Sequence, residues 1–471
     1  MNLQLEPHIP GSSDVPIRPG MLDGITIMRY AHMYRERTSG GVEQYLRHLN
    51  EGLLQRHRMT ILQMCLTRDE ASDAIEIENV GFGRILWVPV AIRQTNSVLV
   101  DLPKRIAYLY RRTLQLQQHD ATARRYAAAS SLRGLFRLGH LRYKITILSD
   151  RLQQLLVTQN VDLLALHWLT YDTVALISRS LGVKIPFVFI NHFDNARLSL
   201  PRTYQCIARA AGIGTVSSQG IPHRLRDRCV NLSDAIDIDL FSPSNGRPMQ
   251  PPARPVVLLP ARIGVGKGHY DLIEAARILI ARKLDFDLCF AGAVESQSLR
   301  QELLRTAAAA GLEDRVRFLG EVSAKEIRDL FALSSVVVLP SYSEGMPRVI
   351  LEAQAMKKPV VAYDCGGMPE AVLPNETGFL VKTGDVEALA DRVNLLLKDH
   401  ALRLRMGERG REFVSQRFSI SALIQRHESF YLSALSRART DRRGAVGAHS
   451  AGSPRDTPAA QTSRKGTAAC I

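Results

Sequence analysis

Two glutamates, Glu344 and Glu352, lie in a stretch whose pattern places them at the carboxyl end of a parallel sheet. The apolar run Val336 to Leu339 is followed by a loop with Glu344 and then by an amphipathic segment, roughly Arg348 to Met356, that carries Glu352. A strand, a loop and a helix in this order bring loop amides and a helix N-terminus together, and phosphate groups bind at such places. The pattern therefore predicts a site for a phosphate-bearing ligand.

The spacing of the two carboxylates separates their tasks. Glu344 lies before the predicted helix, and Glu352 lies eight residues later, two turns into it. On a continuous helix this spacing would rotate them by about 80°, so they would not lie side by side. Carboxylates accept bidentate hydrogen bonds from vicinal diols. One glutamate can therefore contact the reacting end of a ligand while the other contacts a more distant hydroxyl pair.

A glycine-rich loop with two cations, Arg262 and Lys267, follows another apolar run, Val256 to Pro260. Its glycines let the backbone approach a ligand closely. Two cations at this spacing can bracket a diphosphate. A Walker A loop is excluded, because neither Ser nor Thr follows Lys267. The alternative is an ordinary turn with solvated charges.

Together these motifs resemble the retaining glycosyltransferases of family 4, the glycosyl transferases group 1, which have a GT-B fold. The stretch from Glu344 to Glu352 resembles the E-x7-E motif of that family, and Arg262 and Lys267 match its G-R-L-x-x-x-K-G segment except that Ala261 replaces the first Gly. The surrounding pattern extends the resemblance: the Gly-Met-Pro loop at 345–347, Pro-Val-Val at 359–361, Gly-Gly at 366–367 and Pro-Glu at 369–370.

The resemblance implies a role for each of these residues. In the family, the first Glu contacts hydroxyls of the donor sugar and the second holds the ribose of the nucleotide, which assigns catalysis to Glu344 and ribose binding to Glu352. The family's Arg and Lys hold the donor's phosphates, so these roles fall on Arg262 and Lys267. The loop of Gly345, Met346 and Pro347 is expected to bind the donor beside them.

The first half of the chain adds weaker resemblances. Gly40 and Gly41 resemble the family's first glycine-rich loop, which faces the donor diphosphate and the acceptor. His192, at the end of a buried apolar run, resembles the family's His close to the reacting sugar, although a structural role is the alternative. His167 is a further candidate, for the acceptor side. Lys357 departs from the family, which usually has Gly there for a left-handed helix cap, and indicates a different cap or mild strain.

The implied activity is transfer of a hexosyl group from a nucleotide diphosphate sugar to an acceptor hydroxyl with retention, that is, a hexosyltransferase of class EC 2.4. The resemblance makes surface polysaccharide or lipopolysaccharide biosynthesis plausible by analogy and implies a glycan or lipid-linked acceptor. The nucleotide sugar is a co-substrate, so no cofactor is expected. A nucleotide-sugar epimerase of the same fold is the alternative.

Two Asp-x-Asp triplets raise the question of a metal. Asp285 and Asp287 precede an apolar run, and Asp237 and Asp239 precede the proline-rich segment Phe241 to Arg254. A metal-binding pair should instead follow a buried strand and open into the site. We therefore expect no metal.

Composition limits the class of protein and its surroundings. The 471 residues carry a formal net charge of +15, which favours anionic partners. A nucleic-acid-binding protein is a third hypothesis, but the basic residues do not alternate with aromatic platforms. No run of 18 apolar residues occurs and no secretory signal is evident, and six scattered cysteines indicate free thiols. We expect a cytoplasmic protein, with a peripheral position on the inner face of the membrane left open.

Strand-like runs alternating with helical patterns predict an α/β chain of two doubly wound Rossmann-like domains that face a central cleft. The expected division is a flexible leader at 1–22, a first domain at 23–240 with a helical basic insertion at about 101–150, a linker at 241–254, a second domain at 255–415, a helix at 416–436 and a disordered basic tail at 437–471. The resemblance implies that the first domain is on the acceptor side, that the second binds the nucleotide sugar, and that the helix at 416–436 crosses back to the first domain.

The insertion carries ten Lys or Arg and one acidic residue between Lys104 and Lys144. Leucine, isoleucine and tyrosine lie among these cations at helical spacing, as in a helix at a membrane interface. An anionic membrane surface is therefore one candidate partner. Packing of the same apolar face on the first domain is the equal alternative.

Overall fold

In a computed structural model of the chain, the structure describes residues 18–30, 41–67, 75–94, 143–145, 155–167, 185–192, 207–216, 225, 228–245 and 250–449. The basic insertion lies outside these residues except for 143–145, so its membrane prediction stays a prediction. Among the described residues, no helix has both the length and the apolar character needed to span a bilayer.

The first domain is built on one nine-stranded sheet. Its strands are β1 (Thr26–Tyr30), β2 (Thr60–Thr67), β3 (Glu76–Val80), β4 (Gly83–Gln94), β5 (Tyr143–Ile145), β6 (Leu163–Leu166), β7 (Phe187–Asn191), β8 (Gly212–Thr215) and β9 (Cys229–Asn231). Helix α1 (Gly41–Arg56) follows β1. The strand order β3-β4-β2-β1-β6-β7-β8-β9 is parallel from β4 to β9.

Two short strands at the edge of this sheet run against the others. Strand β3 pairs antiparallel with β4, and β5 pairs antiparallel with the far end of the same strand. The helical prediction for 101–150 is therefore wrong at 143–145. Lys144, which the basic pattern grouped with a helix, instead lies opposite Arg93 in the ladder. A three-residue strand has too little periodicity to be recognised without its partner.

The second domain is a six-stranded parallel sheet with the order β12-β11-β10-β13-β14-β15. Its strands are β10 (Val256–Pro260), β11 (Asp287–Ala291), β12 (Val316–Gly320), β13 (Val336–Leu339), β14 (Val360–Tyr363) and β15 (Gly378–Val381). Strands β11, β13 and β14 are buried along their whole length, as apolar runs covered by helices on both faces should be.

Helices connect these strands and end the chain. They are α2 (His269–Ala281), α3 (Gln297–Ala309), α4 (Ala324–Leu333), α5 (Arg348–Ala355), α6 (Met368–Ala371), α7 (Val386–Lys398), α8 (His400–Arg417) and α9 (Ile420–His449). Local sequence explains several starts. Ser323 and Glu326 form a capping box before α4, and Asp385 and Asp399 cap α7 and α8 with their side chains.

The last helix joins the two domains. Side chains of α9, among them Leu423 and Tyr431, are buried in the same cluster as Leu46 and Leu49 of α1. Just before α9, Ser419 forms a bridge with Ile236 of the first domain. The prediction of an ordered helix that stops at 436 is wrong, because α9 continues to His449. Weak apolar periodicity after Leu435 made the end of this helix hard to see in the sequence.

Candidate functional site

The sheet of the second domain changes direction between β10 and β13. From β10 the chain moves outward to β11 and β12, then returns to place β13 on the opposite side of β10. Loops after two such neighbouring strands diverge and leave a crevice at the carboxyl ends, where ligands bind in open α/β sheets. The loop at 261–268 follows β10, and the loop at 340–347 follows β13. The topology thus places both predicted donor-binding loops at this crevice.

The two loops pack against each other too closely for side chains at their contact. Gly268 has φ +74°, and a Cβ atom there would lie 2.0 Å from the carbonyl oxygen of Pro340. The backbone N–H of Tyr342 donates to the carbonyl of Gly266 at 2.9 Å. Glycine is required at position 268 by both its backbone conformation and this approach.

Lys267 and Glu344 meet across the two loops. The Lys267 Nζ donates to Glu344 Oε1 at 2.6 Å, and the side chains are 26% and 14% exposed. Both groups remain in partial contact with solvent, so a ligand can reach them and replace the contact that they make with each other. The ammonium can take up a phosphate oxygen, and the carboxylate can accept hydroxyl groups.

Other predicted residues of these loops surround the pair. Arg262 is exposed, and its guanidinium has no hydrogen bond or ion pair within the described part of the chain. The carbonyl oxygen of Gly345 accepts from the N–H of Gly367 at 2.9 Å, so the 345–347 loop is held against the glycine pair after β14. Gly366 has φ +53°, and a Cβ atom there would lie 1.8 Å from the carbonyl oxygen of Glu344. Met346 packs partly buried on the core, and Pro347 is the cap residue of α5.

Glu352 lies inside α5 and is 8% exposed. Burial raises the pKa of its carboxyl, the charge of Asp234 raises it further, and the nearby Arg348 guanidinium opposes both effects. The Glu352 carboxylate is thus buried inside α5, whereas Glu344 lies in the loop before this helix. The charge of Glu352 is balanced by Arg348 on the same helix. The different tasks that the spacing predicted for the two glutamates stay a prediction.

Arg348 is a site residue that sequence reasoning did not select. Its Nη1 donates to Asp234 Oδ1 at 2.8 Å and to the Ala235 carbonyl at 2.7 Å, and its Nη2 donates to Gln44 Oε1 at 3.1 Å. Burial raises the pKa of Asp234, while Arg348 lowers it. The only signal in the sequence was an arginine four residues before Glu352 on a predicted helix, a spacing that puts the two on one face.

Asp271 was also missed. It lies in the first turn of α2, and its Oδ2 accepts hydrogen bonds from Tyr342 Oη at 2.7 Å and Tyr363 Oη at 2.6 Å. Burial raises the pKa of the Asp271 carboxyl, and the two phenols oppose that shift. This carboxylate ties together three segments around the Lys267–Glu344 pair, namely α2, the 340–347 loop and the end of β14.

His192 lies in the first domain at the end of β7, beside His167 at the end of β6. The His192 Nε2 and the His167 Nδ1 are 2.8 Å apart, and the rings stack at 5.2 Å between centroids. Burial lowers the pKa of His192 to about 3, and it also holds the pKa of His167 well below its ordinary value. Both imidazoles are therefore neutral. The two predicted candidates of the first domain form one pair, with Tyr45 edge-on to His192 at 4.9 Å.

Gly41 is the first residue of α1, and Gly40 lies outside the described residues. Of the predicted glycine-rich loop, the described residues therefore include only Gly41, at the start of α1. Gln44, in the first turn of that helix, is the residue through which α1 contacts Arg348.

Both Asp-x-Asp triplets have structural partners. Asp285 and Asp287 lie at the amino end of β11, opposite the crevice, and pair with arginines 254, 315 and 317. Asp237 Oδ1 accepts the N–H groups of Asp239 at 3.0 Å and Leu240 at 2.8 Å. Within the described ranges, no three His, Cys, Asp or Glu side chains are grouped so that they could hold a metal ion.

Two Rossmann-like domains in one chain are the architecture of the GT-B class of folds. Solved structures with this fold include a glycosyltransferase from Rickettsia africae, with a TM-score of 0.62 at 19% identity over 87% of this chain and 98% of that chain. The sucrose-phosphate synthase of Thermosynechococcus elongatus gives a TM-score of 0.58 at 18% identity, covering 90% and 99%. The GT-B prediction is confirmed.

The sequence of the second domain matches a family model. Residues 247–413 match the model of the family described as glycosyl transferases group 1. The alpha-D-kanosaminyltransferase of Streptomyces kanamyceticus is 37% identical over 36% of this chain and 43% of its own length. The D-inositol 3-phosphate glycosyltransferase of Corynebacterium glutamicum is 32% identical over 46% and 54%. The chain thus spans about half the length of these relatives.

Proposed function

We propose that this chain is a retaining glycosyltransferase of family 4 that transfers a hexosyl group from a nucleotide diphosphate sugar to an acceptor hydroxyl. The observation that carries the proposal is the Lys267–Glu344 contact of 2.6 Å at the switch point of the second sheet. A cation able to bind phosphate and a carboxylate able to bind hydroxyl groups thus lie side by side, which suits a donor whose diphosphate and sugar are adjacent. The family model that the second domain matches supports the same activity.

Charge stabilisation is the main catalytic task of the protein in this mechanism. The bond between the anomeric carbon and the diphosphate breaks with its electron pair going to the phosphate oxygen, and an oxocarbenium-like centre forms. Lys267 and the exposed Arg262 stabilise the departing diphosphate, as fixed cations aimed at developing charge do. Glu344 holds sugar hydroxyls, Glu352 holds the ribose, and the Gly345–Pro347 loop approaches the donor with its backbone.

The acceptor oxygen then bonds to the anomeric carbon from the face that the diphosphate leaves. Its proton passes to the leaving phosphate oxygen, so retention needs no protein nucleophile. The resemblance assigns His192 to polar contact with the sugar. Burial lowers its pKa to about 3, so the imidazole would make this contact as a neutral group. With Arg262 and Lys267 in this role, we propose that activity needs no metal and no cofactor.

Calorimetric binding of nucleoside diphosphates and nucleosides tests the site. Arg262→Ala and Lys267→Ala should each weaken the diphosphate by at least tenfold and leave the nucleoside within threefold. Arg277→Ala is the matched control, because Arg277 is an exposed cation of α2 that pairs with Glu274 on the same helix. Equal losses for diphosphate and nucleoside would contradict the assignment of the loop.

Product analysis tests the reaction. The donor is first found by thermal shift, where a ligand at 100 times its Kd adds about 2.7 kcal/mol of stability. Incubation of the protein with this donor and an acceptor should give a product with the anomeric configuration of the donor. Activity should survive a chelator. Conversion of the donor to its epimer without an acceptor would instead identify an epimerase, and an inverted product would contradict retention.

We also propose a glycan or lipid-linked acceptor in surface polysaccharide or lipopolysaccharide biosynthesis, at the cytoplasmic face of the membrane. In support, one relative, 29% identical over 36% of this chain, is named capsular polysaccharide biosynthesis glycosyltransferase CapM of Staphylococcus aureus.

The ten cations between Lys104 and Lys144 would contact anionic lipid, at about 1 kcal/mol each. Flotation with anionic vesicles at low salt should carry the protein upward, and a fraction that stays at the bottom would contradict the membrane contact.

A further inference from the structure

One side chain of the second domain reaches two separate elements of the first. Arg348 is the first residue of α5, and its guanidinium contacts Asp234 and Ala235, in the segment after β9, as well as Gln44 in the first turn of α1. The Arg348 and Asp234 side chains are 12% and 11% exposed. This is a largely desolvated three-point contact between the domains.

The place of Arg348 in the sequence connects this contact to the donor site. Arg348 lies four residues after Glu344 and four before Glu352, and its backbone N–H donates to the Met346 carbonyl at 3.0 Å. Movement of the guanidinium relative to the first domain would therefore move the 345–347 loop and the start of α5. On the other side of the contact, Gln44 is three residues from Gly41, where α1 begins.

The geometry needs a guanidinium. Two nitrogens of one planar group address three oxygen atoms on two elements, which the compact ammonium of lysine cannot do. Loss of the guanidinium would also leave the buried Asp234 carboxylate without its ion-pair partner, and such groups are unfavourable in a desolvated interface.

We propose that Arg348 is a positioning residue for glycosyl transfer, which holds the Glu344–Glu352 segment against the first domain so that the bound donor sugar faces the acceptor side. This inference rests on the proposed function. A donor is bound by the second domain through Lys267, Arg262 and Glu352, whereas transfer also needs the first domain at a fixed distance. Arg348 should therefore affect transfer far more than donor binding.

The test separates these two steps. Arg348→Lys, which keeps the positive charge near Glu352, should lower kcat by at least thirtyfold while the calorimetric Kd for the nucleoside diphosphate stays within threefold of the wild type. Arg348→Gln should lower kcat by at least the same factor. Asp234→Asn should lower kcat in the same direction, and the double variant Asp234→Asn, Arg348→Gln should be no worse than Arg348→Gln alone, because both act through one contact.

Arg426→Lys is the matched control. Arg426 also joins the domains, since its Nε donates to the Leu232 carbonyl at 2.9 Å and its Nη1 to the Arg417 carbonyl at 2.8 Å, but it does not touch α5. It should keep kcat within threefold. The inference is overturned if Arg348→Lys keeps kcat within threefold, if its kcat and its nucleotide affinity fall together, or if Arg426→Lys loses as much kcat. Failure of the wild type to bind any nucleoside diphosphate would instead reject the proposed function, and the positioning role with it.

Discussion

The Lys267–Glu344 pair is the smallest unit that links this structure to chemistry. Both side chains retain solvent contact, so neither is a buried structural ion. A nucleotide sugar can replace the partner of each group. A diphosphate oxygen can take the place of the carboxylate beside the ammonium, and sugar hydroxyls can take the place of the ammonium beside the carboxylate. A pair of this kind keeps both groups in place before the substrate arrives, which reduces the ordering that binding requires.

Glu344→Gln should leave the fold intact and lower turnover by at least a hundredfold. The neutral amide accepts sugar hydroxyls less strongly, and a transition-state contact of about 3 kcal/mol corresponds to roughly that factor. Turnover with the preferred donor is the measurement. Glu408→Gln is the control, because Glu408 pairs with Lys357 on the exposed surface of the same domain. Near-normal turnover of Glu344→Gln would remove its catalytic assignment.

The affinity for a nucleoside should fall as the pH is lowered, through Glu352. Burial raises the pKa of this carboxyl, so it takes up a proton at a higher pH than an exposed glutamate. The ionised form accepts hydrogen bonds with both oxygens, and protonation removes part of that capacity. Calorimetry with a nucleoside, which has no titrating phosphate, should show Kd rising toward acid pH. In Glu352→Gln the affinity should be weaker and its pH profile flat; a profile parallel to that of the wild type would contradict the ribose role.

Which residues the sequence could predict depended on where their partners lie in the chain. Glu344, Glu352 and Lys267 were predictable because each lies in a local pattern of strand, loop and helix. Asp271 and Arg348 were not, because Asp271 meets Tyr363 across 92 residues and Arg348 meets Asp234 across 114. Only the folded sheet brings such residues together, so no local spacing could reveal them.

At the scale of elements, the site depends on loops that interlock through their backbones. Gly268 lies against Pro340, and Gly366 lies against Glu344. These approaches fix the loop after β10, the loop after β13 and the loop after β14 relative to one another. The charged pair can then be held by short loops without a dedicated helix.

Gly268→Ala and Gly266→Ala should have different effects although both residues lie in one loop. Both have positive φ, so alanine costs about 1 kcal/mol at either position. A Cβ atom at 268 would in addition lie 2.0 Å from the Pro340 carbonyl oxygen, whereas nothing lies within 4 Å of one at 266. Gly268→Ala should therefore abolish nucleoside diphosphate binding in calorimetry, and Gly266→Ala should retain it. Equal binding by both variants would show that the loops can separate freely.

Strands β10 and β13 of the second domain were readable in the sequence because their apolar runs are short and bounded by turn residues, whereas β15 was not predicted. The departure at Lys357 was also informative, since this residue has φ +57° where the family usually has glycine. The predicted strain is thus present in the backbone. Strand β5 and the end of α9 were predicted wrongly, because their positions depend on pairing with β4 and on docking rather than on periodicity.

At the scale of the whole molecule, the two domains are not independent units. Helix α9 follows the second domain in sequence, but its residues Leu423, Phe430 and Tyr431 are buried with the core of the first domain. The hydroxyl of Tyr45, on α1, lies 2.7 Å from Nε2 of His427, on α9. The resemblance predicted this crossing, and the buried contacts explain why the first domain needs the end of the chain.

The stability of this docking should depend on one buried carboxylate. The Glu428 side chain of α9 is fully buried and accepts hydrogen bonds from Arg56 Nε at 2.5 Å and His57 Nε2 at 2.8 Å. His57 Nδ1 accepts hydrogen bonds from the N–H groups of Gly20 and Leu22. Nε2 therefore carries the ring proton and donates a hydrogen bond to Glu428. The glutamate therefore satisfies two donors at the junction of α1 and α9.

Glu428→Gln should lower the free energy of unfolding by about 3 kcal/mol, since removal of one partner of a buried pair leaves the other uncompensated. Both donors point at Oε1, where the amide oxygen can remain, but the amide removes the negative charge opposite Arg56 and puts an NH₂ group in place of Oε2, which accepts from Arg56 Nη2 at 3.4 Å. Urea denaturation followed by tryptophan fluorescence, to which Trp87 in β4 of the first domain contributes together with Trp168, measures this change. Glu274→Gln, in an exposed pair with Arg277, should leave the transition unchanged. If Glu428→Gln unfolds at the wild-type urea concentration, α9 is held by its apolar face alone, and the ion pair contributes nothing to the union of the domains.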